Sequence, residues 1–143
     1  MDCPPIARAL PPLQCLPSLY SLHILATEDQ PFHQELLKRS LSRHGATFQV
    51  ESDGASTLAR SDLESFDVIL LDLMLPDTDG IKLANALRDR GVTAPMIAIT
   101  AGTMTYTLDA CYAAGFQGFL EKPYSPIGLA EMVRSVCDLP TVD

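Results

Sequence analysis

The sequence has no tryptophan, few basic side chains and no long apolar run, and these shortages exclude several classes of protein. Its 143 residues include 10 Lys and Arg against 18 Asp and Glu, which gives a formal net charge of -8. A field of that sign repels phosphate, so direct binding to nucleic acid or to an anionic membrane is not expected. No apolar stretch reaches the roughly 20 residues that cross a bilayer. The first residues also lack the basic region of a secretory signal, and we expect a cytoplasmic protein.

The four cysteines, Cys3, Cys15, Cys111 and Cys137, do not form the closely spaced pairs that zinc sites need. We therefore expect reduced thiols and no structural zinc. A glycine-rich phosphate loop is also missing, so a nucleotide is not the obvious ligand.

Prolines are concentrated at the start of the chain. Five of the 11 prolines fall within the first twenty residues, which contain only two charged side chains. Proline at this density removes backbone donors and interrupts regular structure, so residues 1–20 are interpreted as a proline-rich tail or linker. The alternative is that apolar side chains such as Leu19 pack on the folded domain. Residues 21–138 are predicted to form one domain, and residues 139–143 a C-terminal tail.

Apolar runs and helical spacing alternate five times after Ser21. Short buried strands joined by helices need right-handed crossovers, which predicts an α/β fold with a doubly wound, five-stranded parallel sheet and helices on both faces. The strands are predicted at Leu22–Ala26, Thr47–Glu51, Val68–Asp72, Met96–Thr100 and around Phe119–Leu120. The helices are predicted from Pro31 to Gly45, at Ala55–Leu63, Ile81–Arg90, Thr105–Ala114 and Ser125–Cys137, with Ser125 as an N-cap.

Polar side chains follow the apolar strands: Glu28 and Asp29, Asp72, Thr100 and Lys122. Ligands of open parallel sheets bind at the carboxyl ends of the strands, so these residues are expected to converge. Three neighbouring carboxylates need a compensating cation, and hard oxygen ligands favour Mg²⁺ or Mn²⁺. A divalent ion, an ammonium group and a hydroxyl can together neutralise the charge of a phosphoryl group in transfer.

Four segments of the chain resemble the receiver domain of two-component response regulators, a flavodoxin-like fold. The resemblance covers residues from about Leu22 to Cys137 and is carried by Leu22–Asp29, Asp67–Gly80, Ile97–Ala101 and Gly118–Pro123. It implies that Asp72 is the phosphoacceptor, which takes a phosphoryl group from phosphohistidine. It also implies Asp29 as a direct Mg²⁺ ligand, Glu28 as a ligand through water, and Asp72 and the backbone carbonyl of Met74 as the remaining protein ligands.

The same resemblance assigns the switch residues. Thr100 matches the hydroxyl that turns toward the phosphoryl group, and Lys122 matches the cation that pairs with it. Phe119 matches the aromatic residue whose ring moves inward when Thr100 moves, although a plain core aromatic is the alternative. Pro123 matches a proline that is usually preceded by a cis peptide bond. Glu28 departs from the family pattern, since aspartate is commoner there.

The implied partners are a sensor histidine kinase, a histidine phosphotransfer domain, or both. The receiver resemblance implies a phosphoacceptor domain, not an enzyme. The chain is similar to receivers of hybrid sensor kinases at Pro31, Gln34 and Cys111–Gly115, so it is also interpreted as a candidate fragment of such a kinase. A stand-alone receiver and the N-terminal piece of a longer regulator stay open. A homodimer through the last helix, strand and helix is a family expectation.

Other functions fit the residues less well. A metal-dependent phosphatase with Asp72 as nucleophile would need an acid two residues later, where Met74 stands. A flavodoxin-like cofactor binder lacks a phosphate loop and an aromatic pair that could stack on a ring. A receiver that signals by contacts alone is disfavoured because every phosphorylation residue is present. His33 is interpreted as part of a solvated helix face, and the alternative is a place beside the surface where a kinase or phosphotransfer partner docks. Asp77 and Asp79 are interpreted as turn residues.

Overall fold

The structure is a computed structural model that describes residues 18–101 and 108–137. Within these ranges, strands and helices alternate along the chain, and a 3₁₀ turn at Leu63–Ser65 follows the second helix. The strands are β1 His23–Thr27, β2 Thr47–Glu51, β3 Val68–Asp72, β4 Met96–Thr100 and β5 Phe116–Glu121. The helices are α1 Pro31–Arg43, α2 Gly54–Leu58, α3 Gly80–Asp89, α4 Leu108–Ala113 and α5 Pro126–Val136.

All five strands are parallel and lie in the order β2-β1-β3-β4-β5. The predicted doubly wound sheet is therefore confirmed. The order reverses at β1, so helices leave the sheet on opposite faces on either side of the β1–β3 pair. A crevice at the carboxyl ends of these two strands is where such a sheet binds ligands.

The core is split into two layers by the sheet. All five residues of β3 and of β4 are buried, as expected for central strands that are covered on both faces. One layer packs these strands against α3 and α4, with Leu83, Leu87 and Cys111 among its buried side chains. The other layer packs them against α1 and α5, with Leu37 and Val133 among its buried side chains.

The helix ends follow the expected signals. Gly45, Gly91 and Gly115 have φ values of 91°, 87° and 95° just after α1, α3 and α4, a backbone region that favours glycine. Ser125 accepts a hydrogen bond from the amide of Gly128 and so caps α5 as predicted. The other predicted boundaries of β1, α1 and α3 agree with the structure to within one or two residues.

The second helix is shorter than predicted. The prediction of Ala55–Leu63 is wrong at its C-terminal end, because α2 ends at Leu58. Gly, Ser and Thr make up three of its five residues and are weak helix formers. Beyond it, Arg60 turns to bond with Glu51 and Asp62, and these contacts replace a further helical turn.

Three apolar side chains stand out by their exposure or burial. Phe32 and Leu36 belong to the helical pattern of α1, yet they are 71% and 46% exposed and face outward beside the buried Leu37 and Leu41. Leu19 falls in the segment interpreted as a linker, and the alternative that it packs on the folded domain is the one the structure shows. It is fully buried in the layer of α1 and α5, and its amide donates to the carbonyl of His44. The folded unit therefore includes Leu19, while the rest of the predicted linker up to residue 17 lies outside the described residues.

Residues 105–107 of the predicted fourth helix and the predicted C-terminal tail also lie outside the described residues. In the part of the chain that the structure describes, no helix is long and apolar enough to span a membrane.

Candidate functional site

Three carboxylates meet at the carboxyl ends of β1 and β3. Thr27 of β1 is in register with Leu71 of β3, so the residues that follow, Glu28 and Asp72, lie side by side. Asp29 comes next on the same loop, and one oxygen from each of the three carboxylates lies within 4.8 Å of the other two. Glu28 and Asp72 are buried, with 1% and 6% of their surfaces exposed. The predicted convergence of these acids is therefore present in the structure.

Lys122 brings a positive charge into this cluster. Its amide donates to the carbonyl of Thr100 at 2.7 Å, which continues the pairing of β5 with β4 beyond the strand end. Its ammonium nitrogen, Nζ, lies 2.6 Å from Glu28 Oε1 and 2.9 Å from Asp72 Oδ2. The Lys122–Pro123 peptide bond is cis. One ammonium group thus bridges the ends of β1 and β3.

Burial and hydrogen bonding shift the pKa values of Glu28 and Lys122 in opposite directions. Burial raises the pKa of Glu28, although the hydrogen bonds from Lys122 and from the Gln30 amide oppose the shift. For Lys122, burial disfavours the ammonium form, but hydrogen bonds to Glu28 and Asp72 outweigh it and raise the pKa. The lysine therefore stays charged, and its ammonium compensates part of the negative charge of Glu28 and Asp72.

Backbone contacts fix the loops that carry these acids. Gln34 of α1 donates from Nε2 to the Glu28 carbonyl at 2.6 Å, and the Gln30 amide donates to Glu28 Oε2 at 3.1 Å. The Met74 amide donates to Asp72 Oδ1 at 2.9 Å. A Cβ on Gly80 would lie 2.7 Å from the Asp72 carbonyl oxygen, so the β3–α3 loop can close over the strand end only with glycine there.

His33 reaches the site, whereas the sequence analysis placed it on a solvated helix face. Its Nδ1 lies 3.2 Å from Lys122 Nζ and 3.9 Å from Glu28 Oε1. Its side chain is still 40% exposed, so it stands at the mouth of the crevice. The signal available in the sequence was its position in the first turn of a helix that starts right after the acidic pair.

Thr100 and Phe119 occupy the places expected for them. Thr100 ends β4, is 8% exposed, and pairs in register with Glu121. Phe119 is half-buried on β5, and its ring meets the ring of Tyr112 edge-on with centroids 5.2 Å apart. Since Tyr112 is 58% exposed, this aromatic pair connects the interior beside β4 to the surface of α4.

Asp77 makes a contact that turn chemistry alone does not explain. Its two carboxylate oxygens accept hydrogen bonds at 2.9 Å from the amides of Gly54 and Ala55, at the start of α2. These bonds lower the pKa of Asp77. The loop that follows the site is thereby fastened to the neighbouring helix. Asp79 behaves as a turn residue of the expected kind and caps α3 by accepting from the Lys82 amide.

The donor set suits a hard divalent cation. Three carboxylates supply oxygen ligands only, which fits Mg²⁺ or Mn²⁺ and does not fit the nitrogen and sulfur sites of zinc. Glu28, Asp29 and Asp72 are the residues that would hold the ion. The backbone carbonyl of Met74 follows Asp72 in the chain and completes the predicted set.

An apolar groove opens beside the ammonium group. The cavity has a volume of about 470 Å³ and lies between α1 and the loop from β5 to α5. Its walls include Phe32, His33, Leu36, Lys122, Pro123 and Tyr124. The exposed apolar side chains of α1 therefore form one side of a groove that reaches Lys122.

Comparisons with known proteins agree with this description. The profile of the response regulator receiver domain matches residues 24–134. An uncharacterised 14.6 kDa protein of Leptolyngbya boryana is 30% identical over 122 residues, which cover 84% of this chain and 93% of that protein. Sensor histidine kinase RcsC of Salmonella typhimurium is 27% identical over 124 residues, or 86% of this chain but 13% of the kinase.

A solved structure shows the same fold with a metal ion. The receiver domain of sensor histidine kinase PA1611 from Pseudomonas aeruginosa superposes with a TM-score of 0.72 at 27% identity, and the match covers 82% of this chain and 98% of that one. That structure has a magnesium ion coordinated in its active site cleft.

Proposed function

The chain belongs to the response regulator receiver domain family of two-component signalling, and we propose that it accepts a phosphoryl group from phosphohistidine on Asp72 in a Mg²⁺-dependent reaction. The observation that carries the proposal is the contact of one ammonium group with two buried acids inside a cluster of three carboxylates. This arrangement provides a nucleophile, a set of oxygen ligands and a cation within one crevice. The proposed compartment is the cytoplasm, as expected from the sequence.

In the proposed transfer, a carboxylate oxygen of Asp72 attacks phosphorus. The new bond joins that oxygen to phosphorus, the phosphorus–nitrogen bond of phosphohistidine breaks, and the electron pair leaves with the imidazole nitrogen. A bound Mg²⁺ would supply positive charge that reduces the repulsion between the carboxylates and the incoming group. Glu28, Asp29 and the Met74 carbonyl are the proposed ligands besides Asp72.

Lys122 is the second source of positive charge. Its ammonium lies 2.9 Å from the oxygen of Asp72, so a phosphoryl group attached there would come within its reach. The Thr100 hydroxyl is proposed to donate to the same group. Both residues would then make contacts that exist only after phosphorylation, and such differential contacts are what shifts a two-state equilibrium.

The proposed conformational switch runs from Thr100 to Phe119. Because Phe119 is half-buried and packs on the exposed Tyr112, a movement of its ring inward would change the surface of α4. A homodimer through α4, β5 and α5 is proposed as one interaction that responds to this surface.

The proposed phosphoryl donor is a sensor histidine kinase or a histidine phosphotransfer domain. The apolar groove supports this, because it lies beside Lys122, whose ammonium contacts Asp72, and it exposes apolar side chains of α1 to a partner. The chain spans 93% of one curated relative and 13% of the sensor kinase RcsC. We infer a phosphoacceptor domain that is not itself an enzyme, either alone or as part of a hybrid kinase.

The test is intact mass after incubation with phosphoramidate or acetyl phosphate, with and without Mg²⁺. We expect a gain of one phosphoryl group that requires Mg²⁺ and is absent from Asp72→Asn. Asp89→Asn, an exposed acid at the end of α3, is the matched control and should gain the group like the native protein. A folded native protein that gains nothing would contradict the proposal.

A further inference from the structure

We propose that His33 is a positioning residue that holds the Lys122 ammonium next to Asp72 by accepting one of its three N–H bonds at Nδ1. This inference deepens the proposed function and rests on it. It assigns a role at the mouth of the crevice to a side chain that lies outside the carboxylate cluster.

The ammonium has three N–H donors, and three acceptors surround it. Nζ lies 2.6 Å from Glu28 Oε1, 2.9 Å from Asp72 Oδ2 and 3.2 Å from His33 Nδ1. Each distance fits a hydrogen bond from a charged donor. Since the lysine must donate, Nδ1 accepts through its lone pair and the ring proton sits on Nε2.

The imidazole is held in place by its helix. α1 begins with Pro31 directly after the acidic loop, which places His33 in its first turn. Gln34, the next residue, ties that turn to the Glu28 carbonyl at 2.6 Å. The backbone of His33 is therefore fixed relative to the same loop that carries two of the three acids.

Two of the three acceptors, Glu28 and Asp72, have further roles in the proposed reaction, and His33 has none. Glu28 and Asp72 belong to the oxygen cluster that fits a divalent cation, and Asp72 is also the proposed nucleophile. Before the phosphoryl group arrives, a bound cation would compete with the ammonium for both of these acids. His33 belongs to neither the oxygen cluster nor the reacting groups, so it can keep the ammonium at the crevice while the carboxylates change partners.

The experiment compares three substitutions of His33 in the full chain, with the rate of phosphorylation by phosphoramidate at saturating Mg²⁺ as the readout. In asparagine, Oδ1 stands one bond from Cγ, where the imidazole has Nδ1. In glutamine the acceptor moves one bond farther out, and leucine has none. We expect His33→Leu to slow the reaction about fivefold, His33→Gln to stay slow, and His33→Asn to recover most of the native rate.

Two kinetic results would overturn the proposal. One is a His33→Leu protein that reacts at the native rate. The other is a His33→Asn protein that is as slow as His33→Leu, because the ring's shape and not its acceptor would then matter. Far-UV circular dichroism establishes that each variant is folded. If His33→Leu destabilises the helix, the rate of His33→Asn still tests whether the acceptor matters.

A second readout needs no phosphoryl donor. Nitrogen NMR at about pH 8.5, well above the usual pKa of histidine, reports whether Nδ1 accepts a hydrogen bond. We expect the His33 Nδ1 resonance to move when Lys122→Met removes the donor, and an unchanged resonance would overturn the contact. A native protein that takes no phosphoryl group would instead overturn the proposed function, so the two failures are distinguishable.

Discussion

The Lys122 ammonium lies 2.9 Å from the carboxylate oxygen of Asp72, so the proposed phosphoacceptor is paired with a cation before any donor arrives. The same ammonium neutralises Glu28, which is 1% exposed. The proposed divalent cation would therefore share these carboxylates with the lysine. This relationship makes stability, metal binding and phosphorylation depend on one another.

Lys122→Met should make the protein depend on metal for part of its stability. Removal of the ammonium leaves two buried carboxylates without their compensating charge, and we expect the free energy of unfolding to fall by about 2 kcal/mol in the presence of a chelator. Mg²⁺ should raise the melting temperature of the variant more than that of the native protein, because the ion replaces the missing charge.

The matched control is Lys82→Met. Lys82 is 79% exposed and lies 4.0 Å from Asp79, so solvent screening leaves this ion pair almost no contribution to stability. Thermal unfolding of the three proteins with chelator and with Mg²⁺ makes the comparison. An equal Mg²⁺ response in the native protein and Lys122→Met would contradict the shared role of the carboxylates.

Thr100→Ala should separate phosphorylation from signalling. Asp72 remains able to receive the group, but the hydroxyl that would draw β4 and Phe119 into a new arrangement is gone. Tyr112 reports the outcome because its ring packs on Phe119 at 5.2 Å. In protein labelled with fluorotyrosine, we expect phosphorylation to shift the Tyr112 resonance in the native chain and to leave it in place in Thr100→Ala.

Tyr112→Phe assigns the resonance, and mass spectrometry establishes that both proteins carry the phosphoryl group. A Tyr112 shift of native size in Thr100→Ala would show that Phe119 responds without the threonine hydroxyl. In that case the switch would have to run through another route.

Asp77 should stabilise the fold only above acidic pH. Hydrogen bonds from the amides of Gly54 and Ala55 lower its pKa below the ordinary value of 3.8. A carboxyl group whose pKa is lowered by folding contributes stability above the unfolded pKa, and the contribution is lost as the pH falls through the folded pKa. We therefore expect Asp77→Asn to lower the urea midpoint at pH 7, and the difference from the native protein to shrink below about pH 4.

Asp89→Asn serves again as control, since Asp89 is an exposed acid at the end of α3. Its urea midpoint should follow that of the native protein at both pH values. A difference between Asp77→Asn and the native protein that persists unchanged at low pH would contradict the charge-dependent contact.

We expect lysine at position 60 to restore only part of the stability that Arg60 provides. Its Nε and Nη2 each donate to Asp62 at 2.8 Å, and Nη1 donates to Glu51 at 2.5 Å. The hydrogen bonds from Arg60 lower the pKa of Asp62. Lysine cannot reproduce a planar fork that bonds two acids at once. Because Asp62 is partly exposed, we expect Arg60→Met to reduce the free energy of unfolding by about 1 kcal/mol, with less than half recovered by lysine.

Urea unfolding measures this difference, and added salt should reduce it. Arg39→Lys, an exposed arginine on α1, provides a control for the exchange itself. Equal stability of Arg60→Lys and the native protein would mean that the fork geometry contributes nothing.

The fold and the acidic cluster could be predicted because both follow from local pattern. β3 and β4 are continuous apolar runs, which only a sheet covered on both faces accommodates, and each run ends in a polar residue. In a parallel sheet all such ends lie at one edge. The meeting of Glu28 with Asp72 therefore required no knowledge of side-chain packing.

The contacts that escaped prediction join segments whose relative positions only the folded chain determines. His33 meets Lys122 across 89 residues, and Asp77 meets Gly54 across 23. The exposure of Phe32 could not be read from helical spacing, because that spacing does not say which edge of an apolar stripe faces the sheet. The end of α2 depended on a competition between helix propensity and the ion pairs of Arg60.

The burial of Leu19 has a consequence for fusion proteins. Leu19 bonds to His44, just beyond the end of α1, and Cys137 Sγ lies 3.9 Å from the carbonyl oxygen of Asp67, just before β3 begins. Both ends of the described chain thus leave from the amino-terminal edge of the sheet, whereas the carboxylates lie at the opposite edge. A reporter joined directly to Ser18 or Cys137, the ends of the described residues, would therefore start on the side of the sheet opposite the carboxylates.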